Sequence, residues 1–350
     1  MSNLDNINYP APKQEYKVLV RCFTFNHSKY IEDALNGFAM QQTNFPFVCL
    51  VVDDASTDGE QDVIKAWMER ECDMSRAETI DIPTSVVIIV PLKTNVSCTF
   101  AFYLLKKNLY GTGDKKMNHI YPWRDKCEYE ALCEGDDYWI DPLKLQKQVD
   151  FLDGSPEYVM TYTKCHRFIQ SRNEFEKEQW GGNNQFFEEF LTQNTVPTLT
   201  SVCRITALKQ YYKEINPISH NWKMGDYPLW LYLSHEYKIK YIDTVTGVYR
   251  ILSDSASHFK TKEEYLNFIK SSSDIVDFFI EYFDYKFDKD AYKRMRLSRL
   301  ATNLVFLYED FNGAKTIIKS IDNKSFVDYI KLIFFSNPYL FKLYKYFLKR

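Results

Sequence analysis

Val18 to Gly59 reads VLVRCFTFNHSKYIEDALNGFAMQQTNFPFVCLVVDDASTDG, and the changes of period within it decide the fold class. Tyr16 to Phe23 is a short, apolar, β-rich run. From Lys29 to Gln42 the period changes, and Ile31, Ala34, Leu35, Phe38 and Ala39 share one face of a helix. Asn26 and Ser28 are candidate N-caps for it. Phe45 to Val52 is a second apolar strand, which runs into the turn-rich DDASTDGEQ and a helix over about Glu60 to Glu71. Strands separated by helical patterns imply βαβ units, hence an α/β fold with a mostly parallel sheet flanked by helices.

Outward from this stretch, Ser85 to Val90 reads as a third strand, Thr99 to Asn108 as a helix, and Glu128 to Cys133 as a fourth strand ending at EGDDYW. Parallel sheets bind ligands at the carboxyl ends of their strands. Asp53-Asp54 and Asp136-Asp137 both fall at such ends and are expected on one edge of the sheet. From about 155 to 258 the signals mix: strands at Tyr158 to Cys165 and Thr200 to Ile205, a helix over Asp226 to Glu236, and two short strands within Lys238 to Arg250. After about Lys260 the pattern is helical throughout. The expected division is an N-terminal arm (1–15), an α/β domain (16–258, with halves 16–152 and 153–258) and a helical C-terminal extension (259–350).

Composition narrows the function. A formal net charge of −3 over 350 residues excludes a chain that binds nucleic acid by overall charge. The eight cysteines form no CxxC pair and no Cys/His ligand spacing, so a zinc centre is not expected, and reduced, buried thiols are. The aromatic share of 17% has two readings, a sugar-stacking surface or an AT-rich genome. The first residues are polar and lack the apolar core of a signal peptide, and no apolar run reaches the roughly 18 residues of a membrane span. These features lead to the expectation of a cytoplasmic protein.

Two adjacent carboxylates at a strand end repel unless a cation joins them. A divalent ion bound to a diphosphate meets that need, since hard cations take one or two carboxylates and complete their shell from phosphates. Glu134-Gly135-Asp136-Asp137 therefore reads as a loop that grips a metal–nucleotide. Together, Val18 to Gly59, EGDDYWIDPLKLQKQV and MGDYPLWLYLS resemble, in this order, the segments of family 2 glycosyltransferases, whose fold is the Rossmann-like GT-A. The resemblance covers about residues 16 to 258. It implies that Asp54 contacts the nucleotide base, that Asp53 orders the same loop, that Thr24 and Asn95 border the donor, that Asp136 meets the ribose and that Asp137 ligates the metal, Mn²⁺ or Mg²⁺. It also implies Asp226 as the general base; read alone, Asp226 has a second reading as a cap on the helix that opens with Tyr227-Pro228. His258 is either a further metal or diphosphate contact or an ordinary surface histidine. The chain departs from its relatives at Cys22-Phe23-Thr24-Phe25 and in the long segment YGTGDKKMNHIYPWRDK before the fourth strand.

The reaction so implied is inverting transfer of a sugar from a nucleoside diphosphate sugar, a UDP-sugar above others, to a hydroxyl of a sugar or lipid-linked sugar, in bacterial surface-polysaccharide assembly. Two other readings stay open: an inactive relative that only binds nucleotide sugar, and a sugar-1-phosphate nucleotidyltransferase, whose glycine-rich first loop VLVRCFTFNHS lacks. Self-association also stays open. The tail Ser325 to Arg350 is aromatic and basic, split by Pro338. Its second piece sets Leu340, Tyr344 and Phe347 against Lys342, Lys345 and Lys349, the pattern of a helix lying on an anionic leaflet or of one packing on protein.

Overall fold

A computed structural model of the chain describes residues 8–110, 116–252, 259, 261–337 and 339–341, in two compact units, Met1–Ser255 and Ala256–Arg350. The first unit opens with β1 (Tyr16–Thr24), α1 (Ile31–Ala39), β2 (Phe47–Asp53), α2 (Glu60–Glu71), β3 (Glu78–Ile82), β4 (Ser85–Pro91) and β5 (Cys98–Leu105). It continues through α3 (Tyr121–Arg124), β6 (Cys127–Leu132), β7 (Tyr138–Trp139), α4 (Lys144–Gly154), β8 (Tyr158–Ile169) and β9 (Glu174–Phe175). It closes with α5 (Phe187–Thr192), β10 (Val202–Arg204), α6 (Ile205–Ile215), α7 (Tyr227–Glu236) and β11 (Lys238–Ile251).

The strands form one sheet in the order β3-β4-β5-β2-β1-β6-β10-β8-β11-β7, with β9 on β8. Its centre, β5-β2-β1-β6, is parallel. All seven residues of β2 are buried, as expected of a strand covered on both faces. On one face, Ile31, Ala34, Leu35 and Phe38 of α1 and Ile64, Trp67 and Met68 of α2 pack on Val18, Val20, Cys49 and Val51. On the other, Leu109, just before the long segment that precedes β6, and Ile120 and Trp123 within it cover Leu19, Val48 and Leu50. The part of that segment from Lys116 onward thus belongs to one wall of the core.

Four expectations need correction. Thr99 to Asn108 is not a helix: Cys98–Leu105 is β5, inserted between β2 and β4. CTFAFYLL is buried along nearly its whole length, so its apolar spacing fits either period, and its aromatic, β-rich composition belongs to a strand. Ser85–Pro91 is a strand, but one arm of an antiparallel hairpin with β3 and antiparallel to β5 as well. Helix α1 begins at Ile31 with no side-chain cap, because Asn26 and Ser28 are used elsewhere. Lys238–Ile251 is one strand with register shifts, and its partner β8 runs on to Ile169.

The second unit is helical: α8 (Lys262–Tyr282), α9 (Lys289–Tyr308), α10 (Phe311–Ser320) and α11 (Phe326–Ser336). Each starts at a side-chain cap, from Thr261, Asp288, Asp310 and Ser325 respectively. Ala301, Leu304 and Val305 of α9, Ala314 and Ile318 of α10 and Phe335 of α11 form its core. Among the described residues no helix is long and apolar enough to cross a membrane.

Candidate functional site

The carboxyl ends of β1, β2 and β6 meet at one edge. Thr24, the last residue of β1, is in register with Asp53, the last of β2, and the Asp54 amide donates to the Thr24 carbonyl at 3.0 Å. The turn after β6 lies directly on them: the Gly135 amide donates to the Phe23 carbonyl at 3.0 Å. A Cβ on Gly135 would stand 2.1 Å from Thr24 Oγ1, so glycine is what lets the two strand ends approach.

This turn carries Asp136 and Asp137, and β11 fixes them. Tyr138 and Trp139 pair with Val248 and Gly247, which brings the Arg250 amide to Asp137 Oδ1 at 2.8 Å. The Arg250 guanidinium donates to the Asp136 carbonyl and to Asp33 Oδ2, both at 2.6 Å, and lies between the rings of Tyr30 and Tyr138. Arg250 therefore braces the acidic turn through backbone and side chain together. Asp137 is buried; burial and then the charge of Asp136 push its carboxyl well above the usual carboxylate range, against the pull of the Arg250 amide. A cation here would relieve both effects.

The donor set fits a hard divalent ion: two carboxylates on one turn, with diphosphate and water left to complete the shell. No group of three or more His, Cys, Asp or Glu side chains suited to a metal occurs among the described residues, so protein alone would not complete it.

His27 was not singled out in the sequence, yet its Nε2 stands 3.9 Å from Asp136 Oδ2. A buried carboxylate sets its posture. Glu60, the first residue of α2, accepts from the Thr24 hydroxyl, from the His27 amide at 2.7 Å and from the Ser56 hydroxyl at 2.9 Å. Since Thr24 gives its proton to Glu60, its oxygen is left to accept from His27 Nδ1 at 3.2 Å, which turns Nε2 towards Asp136. Burial raises the Glu60 carboxyl, and those donors pull it back. Asn26 and Ser28 join the same seam, their amides bonding Ser56 Oγ and Asp58 Oδ2 across to the β2–α2 loop. The only sequence signal was a histidine in the first loop and a glutamate straight after Asp58-Gly59.

The other expected residues divide. Asp53 is buried; its Oδ1 accepts from the Ser56 amide and Gln61 Nε2, and its Oδ2 has no hydrogen-bond partner. Asp54, also buried, spends its carboxylate on the long segment, with Leu109 N at 2.7 Å and Lys116 Nζ at 3.1 Å. Beside them a groove of about 530 Å³ is lined by Ala55, Ser56, Gln61 and Lys106 among others. Asn95 is not brought here. It lies in the β4–β5 turn, where its amide bonds the Gln41 carbonyl, at the end of the sheet where Phe47 and Cys98 begin their strands. Because β4 is antiparallel to β5, the loop after it opens on the edge opposite Asp53. His258 lies outside the described residues.

Asp226 caps α7: Oδ1 accepts from the Tyr227 amide at 2.7 Å, and Oδ2 accepts from the Thr198 hydroxyl at 2.8 Å. The next residue, Leu199, accepts through its carbonyl from Trp139 Nε1 at 2.7 Å. The Thr198-Leu199 step thus ties Asp226 to the strand that follows Asp137. Trp139 is a buried core residue, edge-on to Phe38.

No family model matches the chain. Proteins of Mycobacterium tuberculosis (Rv1520) and Mycobacterium bovis (Mb1547), both described as uncharacterized, are each 34% identical to it over 139 residues, 40% of this chain. The match spans about a third (32%) of the length of those relatives. Among solved structures, S. aureus TarS 1–349 in complex with UDP-GlcNAc superposes with a TM-score of 0.51 at 16% identity, covering 87% of this chain and 82% of that one. The chain therefore shares the overall fold of that protein.

Proposed function

We propose that this protein is an inverting glycosyltransferase that takes a sugar from a nucleoside diphosphate sugar and places it on a hydroxyl acceptor. The observation that carries the reading is Asp137, a buried carboxylate beside Asp136 at the carboxyl edge of the parallel strands. The likeness in fold to a protein solved with UDP-GlcNAc supports it. Asp136 and Asp137 would hold a divalent ion, Mn²⁺ or Mg²⁺, which when bound neutralises charge on the diphosphate. The nucleoside end falls at the β1–β2 edge. There Thr24 and Asp53 shape the floor, and Asp54 acts by holding Leu109 and Lys116 in place. His27 Nε2 faces the side where phosphate charge collects.

Asp226 takes the proton from the acceptor hydroxyl as that oxygen attacks the anomeric carbon; the bond from that carbon to the diphosphate oxygen breaks, and the configuration inverts. Two hydrogen bonds orient the Asp226 carboxylate and leave lone pairs for a third. A sugar or lipid-linked sugar is the acceptor class, and surface-polysaccharide assembly on the cytoplasmic side of a bacterial membrane is the setting that suits it.

Thermal shift with UDP, GDP and dTDP, with and without Mn²⁺, followed by product analysis with the matching sugar donors, tests this. A nucleotide at a hundred times its dissociation constant stabilises by about 2.7 kcal/mol. Asp137→Ala is expected to lose the Mn²⁺-dependent part of that shift. Asp226→Asn is expected to keep it and lose transfer by about 10²–10⁴-fold. Undiminished transfer by Asp226→Asn would remove the base, and no shift with any nucleotide would remove the reading.

A further inference from the structure

The basic piece of the tail, 342–350, lies outside the described residues, but the second unit gathers cations earlier, between α9 and α11. Arg294, Ser298 and Thr302 form one i, i+4 row of α9, Arg299 lies on the row beside it, and Asp328 and Lys331 stand opposite on α11. Together they line a groove of about 470 Å³. Small-molecule sites occupy about 300–1,000 Å³.

The floor of the groove is fixed by a relay of hydrogen bonds. Buried Ser298 donates its hydroxyl proton to Asp328 Oδ1 at 2.5 Å, so its oxygen is left to accept from Lys331 Nζ at 2.8 Å. Asp328 is 1% exposed and fully engaged, since its Oδ2 accepts from the amide and the hydroxyl of Ser325 at 2.9 and 2.6 Å. Burial works to raise its carboxyl, but the hydroxyls of Ser298 and Ser325 hold it below its ordinary value, so at neutral pH it is an anion already committed. Lys331 is in a different position. Among the described residues its ammonium hydrogen-bonds neutral oxygens alone, Ser298 Oγ and the Ser298 carbonyl at 3.3 Å, which leaves one of its three protons. Burial lowers the Lys331 ammonium, Asp328 pulls it back, and the charge of Arg299 adds to the lowering.

The groove thus sets three cations, Arg294, Arg299 and Lys331, against one acid, in a chain whose net charge is −3. Arg294 gives one donor to the Asn323 carbonyl at 3.2 Å and has others to offer. Packing two helices needs no such surplus, and like charges on neighbouring positions repel. A single carboxylate would balance one of the two excess charges. A phosphate on an ester carries roughly two negative charges and three strong acceptor oxygens, which match the surplus and suit guanidinium forks beside an ammonium.

We propose that the groove between α9 and α11 binds a phosphomonoester, held by Arg294, Arg299 and Lys331. The inference stands independently of the reaction proposed above.

Calorimetric titration of the full chain with glycerol 3-phosphate tests it, beside co-sedimentation with vesicles of phosphatidylcholine alone and of phosphatidylcholine mixed with phosphatidic acid. Binding of at least one of the two phosphomonoesters is expected, in the millimolar range or tighter, weakening as salt rises. Arg299→Gln combined with Lys331→Gln is expected to keep the wild-type circular dichroism and to weaken that binding at least about tenfold. Arg294→Gln, which leaves the Ser298 relay untouched, is expected to weaken it less, with the fold intact. Phosphatidic acid vesicles that hold the wild type and release the double variant would make a lipid headgroup the source of the phosphate. A soluble ester that alone depends on these residues would make it a free phosphorylated compound. Absence of binding by both probes, or binding that the folded double variant retains in full, overturns the proposal.

Discussion

Lys144 shows how much a single buried charge can impose on a fold. It is fully buried, its ammonium lies 4.2 Å from the centre of the Trp139 ring with no hydrogen-bond partner, and burial pulls its pKa down to about 7. Below about 7 the folded and unfolded chains both carry this proton, and its burial costs stability in full. Between about 7 and the unfolded value near 10.5, only the unfolded chain keeps it, so stability from this residue rises with pH, by at most about 1.4 kcal/mol per unit. Lys144→Met is expected to raise the urea midpoint at neutral pH, with the gap to wild type closing as pH approaches 10; a gap independent of pH would contradict the assignment. Glu130 is the opposite case. Burial alone would raise its carboxyl, but Arg124 and Arg21 hold it below the ordinary range, Arg124 through both guanidinium contacts at 2.5 and 2.9 Å. Glu130→Gln strands two cations and is expected to cost about 3–5 kcal/mol in chemical denaturation. Neither partnership was visible in the sequence, since each joins residues whose neighbours in space come from other elements.

At the scale of elements, the acidic turn depends on Gly135. Gly135→Ala puts a methyl group into Thr24 and must push the turn off β1. The variant is expected to fold with a lower melting temperature and to lose nucleotide-dependent stabilisation with Mn²⁺; full retention of both would show that the approach is not needed. Elements bounded by turn residues were legible: α2 spans Glu60–Glu71 as the turn-rich stretch before it predicts, and the short apolar runs β1, β2 and β6 fall within two residues of expectation. Cys98–Leu105 was not and passed for a helix, because burial along nearly its whole length erases the period that separates helix from strand. The hairpin arm Ser85–Pro91 was legible as a strand, but its antiparallel pairing with Glu78–Ile82 and Cys98–Leu105 was not. The acidic pair at Asp136-Asp137 was legible because a glycine and two acids after an apolar strand have few structural uses. His27, Glu60 and the brace from Arg250 needed the sheet to be assembled first.

At the scale of the molecule, the sheet swallows its thiols. Seven of the eight cysteines are buried, Cys127 is partly so, and all are free. Burial raises the thiol of Cys127 to about 12, which slows its reaction further. An aromatic disulfide reagent is therefore expected to titrate at most one thiol in the folded protein and eight in denaturant, with or without prior reduction. Two or more fast thiols in the native state would show that the sheet opens.

The place of β1 between β2 and β6 has a consequence for how the chain is made. The partner on its second side, Cys127–Leu132, comes off the ribosome about a hundred residues later, a wait of roughly 5–20 s at roughly 5–20 residues per second. During that interval one margin of an apolar strand lies open to any other nascent chain. Lys17 and Arg21 stand on that strand as like charges that discourage the wrong neighbour. When β6 emerges it brings Glu128 to Lys17 at 2.7 Å and Glu130 to Arg21 at 2.9 Å. The same two cations that guard the growing strand against aggregation thus select its late partner and fix the alignment on which the acidic turn hangs.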